Sequence, residues 1–378
     1  MANRKQALVL VWPLLAGITA GSASAPWAND ELQLFFGYYT DDTGLTVQSP
    51  SISVGKQLTD ANRLGAKYTY EKFSKEAPDD AVDAVSGATT VAGGSGSGFS
   101  EIRHEWTLYD SHNFGDTTLA TGLFVSDESD FSSQGISLAL SREMFRNNLT
   151  LTAMYGFTDD TVNDSDATAE EGFPKTKNVN SFTLAASQIA SPTLVLVGGY
   201  SFADVSGYQS QPLRKISVDQ EVSGGAAIVS YIYDENHPQQ RQRHTVFMRA
   251  KQYFQTRSSL DANVSYYWDD WGVDAYTLDL KLQQYVLPTL IARGRFRYYQ
   301  QSAADFYQQS YTEPQVIMTA DNRLRRFNTL MSGIKLVYGL DDIGWRDWST
   351  ALNYEYYRET DQGLKANIVM VQIKAPLF

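Results

Sequence analysis

The chain has 378 residues, 13% aromatic residues, a formal net charge of −12 and no cysteine. The lack of cysteine excludes disulfides, thiolate metal sites and lipid attachment at an N-terminal cysteine. The negative charge argues against nucleic acid as a partner.

The first segment of the chain has the composition of a secretory signal peptide. Arg4 and Lys5 form a basic start, an apolar run follows, and small residues lie near its end. The run is too short and too interrupted for a transmembrane helix, which needs about 20 apolar residues. We therefore expect residues 1–25 to be a signal peptide, cleaved within 23–28, and residues 26–378 to form one domain.

Most of the remaining chain alternates apolar and polar residues, which is typical of strands with one apolar face. The segments LTLTAMYGF at 149–157 and LDANVSYYW at 260–268 show this pattern. Strands of about 10 residues are long enough to cross a bilayer at a tilt, and aromatic residues near their ends favour an interfacial girdle. Because the polar faces carry Lys and Arg, which would not fill a dry core, a soluble β-sandwich or β-helix is disfavoured.

Sixteen strands are predicted, and an even number is typical of a bacterial barrel with both termini in the periplasm. They are 31–40, 50–58, 62–73, 99–109, 117–126, 132–142, 148–158, 179–190, 193–204, 243–254, 259–269, 273–285, 289–300, 326–338, 347–358 and 364–377. The apolar run at 226–233 is assigned to a loop or an inward fold.

The fold expected from these strands is an all-β, transmembrane, antiparallel up-and-down β-barrel in the outer membrane of a Gram-negative bacterium. Short turns would face the periplasm, and long loops at about 74–98, 159–178, 205–242 and 301–325 would face outward. The expected partners are outer-membrane lipid, lipopolysaccharide and the barrel-assembly machinery, and a terminal Phe378 supports the last of these.

The sequence DAVSGATT at residues 83–90 lies in the first long loop. Its plain interpretation is a turn, in which Gly87 permits unusual backbone angles and the hydroxyls of Ser86 and Thr89 satisfy nearby backbone groups. Asp83, Ser86, Gly87, Ala88 and Thr89 also fit the pattern D-x-x-[ST]-G-A-[ST]. This pattern resembles the acceptor motif of proteins that receive covalent FMN from a periplasmic flavin transferase, such as flavoprotein subunits of sodium-pumping quinone reductases. The resemblance implies FMN joined to Thr89 through a phosphoester.

A broader resemblance covers nearly the whole chain after the signal peptide. It is carried by VDAVSGATT and by SGYQSQP at 206–212, RQRHTVFMRAKQYF at 241–254, YYWDDWGVDAYTLDL at 266–280 and RYYQQSAADFY at 297–307. These segments are similar to a widespread outer-membrane family, domain of unknown function 3570. Genes of that family often lie beside a flavin transferase, a thioredoxin-like protein and a small lipoprotein, which implies a redox setting. The family's usual GYL-x-x-P-Y is GYQSQPL here.

Basic residues recur at every second position on two of the predicted strands. They are Arg249 and Lys251 on one strand and Arg293, Arg295 and Arg297 on the other. Because an arginine facing lipid costs about 2–4 kcal/mol at the bilayer midplane, we expect both sets to face the lumen. They are interpreted either as ordinary lumen charge, balanced by Asp279, Lys281 and Glu355, or as a ladder that attracts anions or the flavin phosphate.

The sequence contains no pattern that predicts an enzyme or a metal site. The four histidines have no metal-ligand spacing, and no catalytic triad, P-loop or dinucleotide fingerprint is present. The leading hypothesis is a redox-accessory or electron-transfer barrel that carries FMN on Thr89. The alternatives are a passive porin-like channel for small solutes, including anions, and a structural scaffold without a cofactor.

Overall fold

The computed structural model describes residues 30–75, 99–163, 172–210, 215–221, 228–360 and 363–377. The predicted signal peptide at 1–25 and the motif at 83–90 lie outside these ranges. No helix in the described ranges is long and apolar enough to span a membrane. The strands are β1 (Glu31–Asp41), β2 (Leu45–Gln57), β3 (Asn62–Lys75), β4 (Phe99–Phe114), β5 (Thr117–Asp127), β6 (Phe131–Met144), β7 (Leu149–Val162), β8 (Lys175–Ser191), β9 (Leu194–Gly207), β10 (Lys215–Glu221), β11 (Ile228–Asp234), β12 (Gln240–Phe254), β13 (Ser258–Asp269), β14 (Asp274–Tyr285), β15 (Leu290–Gln301), β16 (Phe327–Gly339), β17 (Ser349–Glu359) and β18 (Lys365–Pro376). Two single-turn 3-10 helices occupy Asn322–Leu324 and Asp341–Ile343.

Sixteen of the described strands close into one antiparallel barrel. Strands β1 to β9 pair in chain order, β9 pairs with β12, β12 to β18 continue in order, and β18 pairs with β1. The closing register aligns Phe35 with Gln372 and Tyr39 with Ile368. The prediction of a sixteen-strand up-and-down barrel is confirmed, and each predicted strand overlaps an observed one.

The largest extension of a strand beyond its predicted start occurs in β2, which begins at Leu45 and runs through Pro50. Proline removes a ladder hydrogen bond, so it normally marks a strand start or an interruption. Here Pro50 stays aligned with Phe36 of β1, while the register with β3 is interrupted at residues 49 and 50. Strand β2 therefore continues through Pro50 because β1 still pairs with it at this position.

Large apolar side chains cover the outward face of the barrel. Exposed examples are Leu34 and Phe36 on β1, Ile136, Leu138 and Leu140 on β6, and Ile334 and Leu336 on β16. The residues between them on each strand face the lumen, because successive side chains point to opposite faces. An outward apolar band of this kind is suited to contact with lipid acyl chains.

The connections differ in length between the two ends of the barrel. At the short-turn end they are 58–61, 115–116, 145–148, 192–193, 255–257, 286–289 and 340–348. At the other end, the long-loop end, they are 42–44, 76–98, 128–130, 163–174, 208–239, 270–273, 302–326 and 360–364. The four predicted long loops therefore lie at one end of the barrel, as expected.

Strands β10 and β11 form a separate hairpin within the connection at 208–239. Residues 228–233 of the apolar run belong to β11, so the prediction that this run is not a barrel strand is confirmed. Val218 of the hairpin bridges to Tyr311 in the connection at 302–326, here called the strap. Both side chains are buried, together with Ile216 and Met318. The hairpin and strap, together called the cap, thus share an apolar core at the long-loop end.

Candidate functional site

The five predicted ladder residues all lie on the lumen face of the barrel. Arg295 and Arg297 flank Phe296, whose outward side chain is 41% exposed, and Arg249 follows Met248, which is 63% exposed. Arg293 and Lys251 continue the same lumen-facing phase on β15 and β12. The two sets therefore lie within one wall, the basic wall, which is the lumen face of β12 to β16.

A belt of paired charges crosses the middle of this wall. Arg249 Nε donates to Asp261 Oδ1 at 2.7 Å. Arg295 Nη2 donates to Asp279 Oδ2 at 2.6 Å, and its Nη1 donates to Glu355 Oε1 at 3.0 Å. Lys281 Nζ lies 3.8 Å from Asp279 Oδ2, so this charge belt holds three cations and three carboxylates. The interpretation as ordinary lumen charge therefore accounts for Arg249 and Arg295.

The pairing of Arg295 with Glu355 depends on a glycine. The register places Gly333 of β16 between Arg295 of β15 and Glu355 of β17. A Cβ atom at this glycine would lie 2.6 Å from Glu355 Cγ and 2.8 Å from the carbonyl oxygen of Tyr354. Only a residue without a side chain leaves the space through which the guanidinium reaches the carboxylate.

Five other cations of the basic wall have no carboxylate partner. They are Arg243, Lys251, Arg293, Arg297 and Lys335, none of which forms an ion pair with the described residues. Arg293 instead donates to the neutral Gln283 Oε1 at 2.8 Å. The carboxylates on the lumen face of β12 to β17 are all paired with other cations; they are Asp261, Asp269, Asp279, Glu355 and Glu359. The wall therefore carries an excess of positive charge.

The adjoining wall, the lumen face of β5 to β9, carries many small neutral residues and is called the neutral wall. Its members include Ala120, Gly122, Gly135, Ser137, Ala139, Ser181, Ala185, Gly199, Ser201 and Ala203. Hydroxyl pairs such as Thr183 with Ser201, 2.8 Å apart, satisfy its polar atoms. Ser137 is exposed although it faces the lumen. These side chains are short, and at Gly199 the Phe247 ring of the basic wall fills the space that a Cβ atom would take.

A turn and the strap close over the basic wall at the long-loop end. The turn is Asp269 to Gly272, in which Asp269 Oδ1 accepts hydrogen bonds from the backbone nitrogens of Trp271 and Val273, each at 3.0 Å. Its other oxygen binds Arg241, whose guanidinium lies 4.2 Å from the Trp271 ring centre. Gln301 at the top of β15 donates to two backbone oxygens of the strap. The strap is thus fixed to the barrel rim.

An apolar cluster lines a third sector of the lumen near the same end. Tyr39, Leu45, Phe73, Phe327 and Ile368 are buried there, on neighbouring strands β16 to β3 across the barrel closure. Apolar side chains therefore fill this sector of the lumen near the long-loop end.

Several members of the basic wall were not recognised in the sequence. Arg241 and Arg243 share the phase of Arg249, but Thr245 and Phe247 separate the two pairs. Asp261 becomes identifiable as the partner of Arg249 only when the register of β12 with β13 is known. The recurrence of basic residues at odd-numbered positions of β12 was therefore the one sequence signal that could have added Arg241 and Arg243 to the predicted set.

The predicted flavin-acceptor residues Asp83, Ser86, Gly87, Ala88 and Thr89 lie outside the described residues. The connection that contains them joins β3 to β4 at the long-loop end. Among the described residues, no group of three or more His, Asp or Glu side chains is arranged to hold a metal ion.

Comparison with known proteins places this barrel in a family. The family model described as "Protein of unknown function (DUF3570)" matches residues 13–375. A search of curated proteins found no match. Among solved structures, a bacterial polysaccharide outer membrane secretin is similar with a TM-score of 0.50 and 9% identity, covering 93% of this chain and 100% of that chain.

Two channels also match. They are the CymD monoaromatic hydrocarbon channel, with a TM-score of 0.44, 9% identity and coverage of 92% of this chain and 88% of that chain, and OccK8 (OprE) of Pseudomonas aeruginosa, with a TM-score of 0.44, 11% identity and coverage of 92% and 98%. At such low identity the likeness to the secretin concerns the fold alone, a barrel of the outer-membrane type. The resemblance carried by the sequence motifs and the match over residues 13–375 agree: the chain belongs to the DUF3570 family.

Proposed function

We propose that the protein is an outer-membrane channel that passes small anionic solutes. The observation that carries this proposal is the uneven charge balance on the lumen face of β12 to β17. All five carboxylates on the lumen face of β12 to β17 are paired, whereas five cations have no ion-pair partner within the described residues. Unpaired cations lining a pore lower the barrier for anions and raise it for cations.

Two features of the barrel, its number of strands and the neutral wall, support a route for solutes through the lumen. Barrels of 16 strands are wide enough to leave an aqueous channel. Along β5 to β9, beside the basic wall, many lumen positions are short hydroxyl, methyl or glycine residues, and in this proposal they line the path of the solute. A structural scaffold would have no need of unpaired lumen cations, because desolvating an unpaired charge is costly.

Uptake into proteoliposomes tests the proposal. The purified barrel is reconstituted, and the entry of a small organic anion is compared with that of an organic cation of the same size. We expect faster entry of the anion, and a reduced preference in the triple variant Lys251→Gln, Arg293→Gln, Arg297→Gln. Arg346→Gln, an exposed residue in the connection at 340–348, is the control and should leave the preference unchanged. Equal entry of both ions in the wild type would contradict the proposal.

A second proposal concerns covalent FMN on Thr89, and the sequence motif alone supports it. All five specified positions of the acceptor pattern match at 83–89. In this proposal a periplasmic flavin transferase is a partner, and the barrel is a redox carrier rather than an enzyme. Since the long-loop end faces outward in barrels of this type, modification would precede membrane insertion.

Intact mass and in-gel flavin fluorescence of the denatured protein test the modification. The protein is coexpressed with a flavin transferase, with Thr89→Ala as the test variant and Thr90→Ala as the matched control. We expect a mass increase of one FMN less water that is lost in Thr89→Ala and kept in Thr90→Ala. An unmodified wild type beside a demonstrably active transferase would refute the proposal.

A further inference from the structure

Two cations of the basic wall lie directly opposite each other near the short-turn end of the lumen. Arg293 of β15 is aligned with Lys335 of β16. Arg293 shares the lumen-facing phase of Arg295, and Ile334 and Leu336 on either side of Lys335 are exposed on the outward face, so both cations point into the lumen. Like charges directly opposite each other destabilise a sheet, and this arrangement therefore requires an explanation.

Neutral amides lie on either side of the two cations. Gln283 of β14 is aligned with Arg293, and Asn353 of β17 is aligned with Lys335. Four neighbouring strands therefore carry an amide, a guanidinium, an ammonium and a second amide at one level of the lumen. These four residues, called the donor row, present many N–H donors and include no carboxylate.

The hydrogen bonds within the barrel leave donors of the donor row unused. Gln283 Oε1 accepts from Arg293 Nη2 at 2.8 Å and from Arg293 Nε at 3.3 Å, whereas Arg293 Nη1 has no acceptor among the described residues. Lys335 Nζ donates one long hydrogen bond, 3.5 Å, to Gln372 Oε1. Because an ammonium has three donors and a guanidinium has five, both cations can bind a further acceptor.

The carboxylates on neighbouring strands are bound to other cations. Asp279 of β14 and Glu355 of β17 both accept hydrogen bonds from Arg295. Glu31 of β1, near the short-turn end, lies 3.4 Å from Lys374 Nζ of β18. None of these carboxylates forms an ion pair with a cation of the donor row, so the two positive charges of the row are not cancelled by the described part of the protein.

Apolar side chains lie next to the donor row on its short-turn side. Ile291 of β15 and Val337 of β16 are the next lumen-facing residues of these two strands, and they are aligned with each other. Two adjacent cations therefore lie beside two adjacent apolar side chains. Aligned residues on neighbouring strands have Cα atoms about 4.5–5.5 Å apart, so the two oxygens of one carboxylate can reach both cations. An apolar group attached to that carboxylate would then contact Ile291 and Val337.

We propose that Arg293 and Lys335 form a binding site, near the short-turn end of the lumen, for a small organic carboxylate that carries an apolar group. The carboxylate accepts hydrogen bonds from Arg293 Nη1 and Lys335 Nζ, and the apolar group packs on Ile291 and Val337. The bound negative charge relieves the repulsion between the two cations. This inference rests on the proposed anion channel and names the class of anion that the channel recognises. The paired residues of the charge belt take no part in it.

Isothermal titration calorimetry on the folded barrel in detergent tests the site without requiring conduction. The probe is benzoate, and inorganic phosphate is the comparison because it has the oxygens but no apolar group. The test variant is Arg293→Gln, Lys335→Gln. The control, Lys251→Gln, Arg297→Gln, removes the same charge from lumen cations that lie three strands away from β15 or about 13 Å further along it. Heat-modifiable electrophoretic migration confirms that each variant is folded, and Lys335→Gln alone replaces the test variant if it is not.

We expect benzoate to bind the wild type and its affinity to fall about tenfold or more in the test variant, which corresponds to about 1.4 kcal/mol. The control should keep the wild-type affinity within about twofold, and phosphate should bind more weakly than benzoate. Absence of benzoate binding to the wild type, or an equal loss of affinity in the test and control variants, overturns the site. Phosphate binding as tight as that of benzoate overturns the assignment to organic carboxylates.

Urea unfolding in lipid vesicles separates a binding role of Lys335 from a structural one. Without benzoate, Lys335→Gln should be at least as stable as the wild type, because the repulsion from Arg293 is removed. Benzoate should raise the stability of the wild type by more than that of Lys335→Gln, because a ligand stabilises the folded state that binds it. A Lys335→Gln barrel that is less stable than the wild type without benzoate would assign this lysine to the fold and contradict the proposal.

The two proposals fail separately. Benzoate binding that depends on Arg293 and Lys335, without anion-selective uptake into proteoliposomes, would leave the site standing and remove the channel. Anion-selective uptake without benzoate binding would leave the channel and remove the site.

Discussion

The substitution Gly333→Ala tests whether the charge belt is built as described. An alanine Cβ at this position would lie 2.6 Å from Glu355 Cγ and 2.8 Å from the carbonyl oxygen of Tyr354. The side chain of Glu355 can move away, but the carbonyl belongs to strand β17 and is held by its ladder. Overpacking of this kind costs about 1–3 kcal/mol. Moving Glu355 also breaks its bonds to Arg295, and a hydrogen bond to a charged group contributes about 1.5–3 kcal/mol.

We therefore expect Gly333→Ala to lower the free energy of unfolding by about 3 kcal/mol, within the range set by these two terms. Equilibrium urea unfolding of the barrel in lipid vesicles, followed by tryptophan fluorescence, measures it. Gly294→Ala is the matched control, because a Cβ there has no atom within 4 Å, and it should change stability by less than about 0.5 kcal/mol. In a Glu355→Ala background, Gly333→Ala should lower the free energy of unfolding by a smaller amount, because the clash with Glu355 Cγ is gone. A Gly333→Ala protein as stable as the wild type would refute this reasoning.

Three further predictions address the turn, the cap and the face assignment. Asp269→Asn should lower the free energy of unfolding by about 3 kcal/mol because it leaves Arg241 beside a neutral amide, whereas a change below about 0.5 kcal/mol in urea unfolding would show that the ion pair is dispensable. Burial raises the pKa of Tyr311 in the strap above its ordinary value. The phenol therefore stabilises the cap below pH about 10, the ordinary tyrosine pKa, and this contribution is lost as the pH rises towards the raised pKa. Limited proteolysis of the strap should accelerate over that pH range and do so less in Tyr311→Phe; equal acceleration in both proteins would contradict the assignment. Leu138→Arg, on the lipid face, should destabilise the barrel by about 2–4 kcal/mol, whereas Ser137→Arg, on the lumen face, should fold normally and raise anion uptake; equal urea-unfolding stabilities would contradict the face assignment.

The strand count was predictable because period-two alternation survives in every barrel strand. Lipid on one side and lumen on the other impose opposite polarity on successive residues, so each strand carries its own signal. The run at 226–233 lacks this regular polarity, and its described residues, 228–233, lie in one strand of the hairpin in the cap. The strap at 302–326 has no periodic pattern, so its contacts with the hairpin and the barrel rim were not foreseen.

That the basic residues of β12 and β15 face the lumen was predictable from the sequence, but their carboxylate partners were not. Arg295 reaches a carboxylate 60 residues away in the chain, across a glycine on an intervening strand. Such a pairing depends on the register of three strands, and a single sequence does not contain that register. Arg243 was missed for the same reason, since its lack of a partner appears only when Asp269 is found to be committed elsewhere.

The reversal potential of the wild-type barrel in a planar bilayer tests the central claim most directly. Under about a tenfold KCl gradient, a perfectly selective pore would reverse about 59 mV from zero, at the equilibrium potential of the ion it passes. The charge excess of the basic wall predicts a shift towards the chloride equilibrium potential, reduced in Lys251→Gln, Arg293→Gln, Arg297→Gln. A reversal potential at zero or on the potassium side, or a folded barrel that carries no current, would contradict an anion channel.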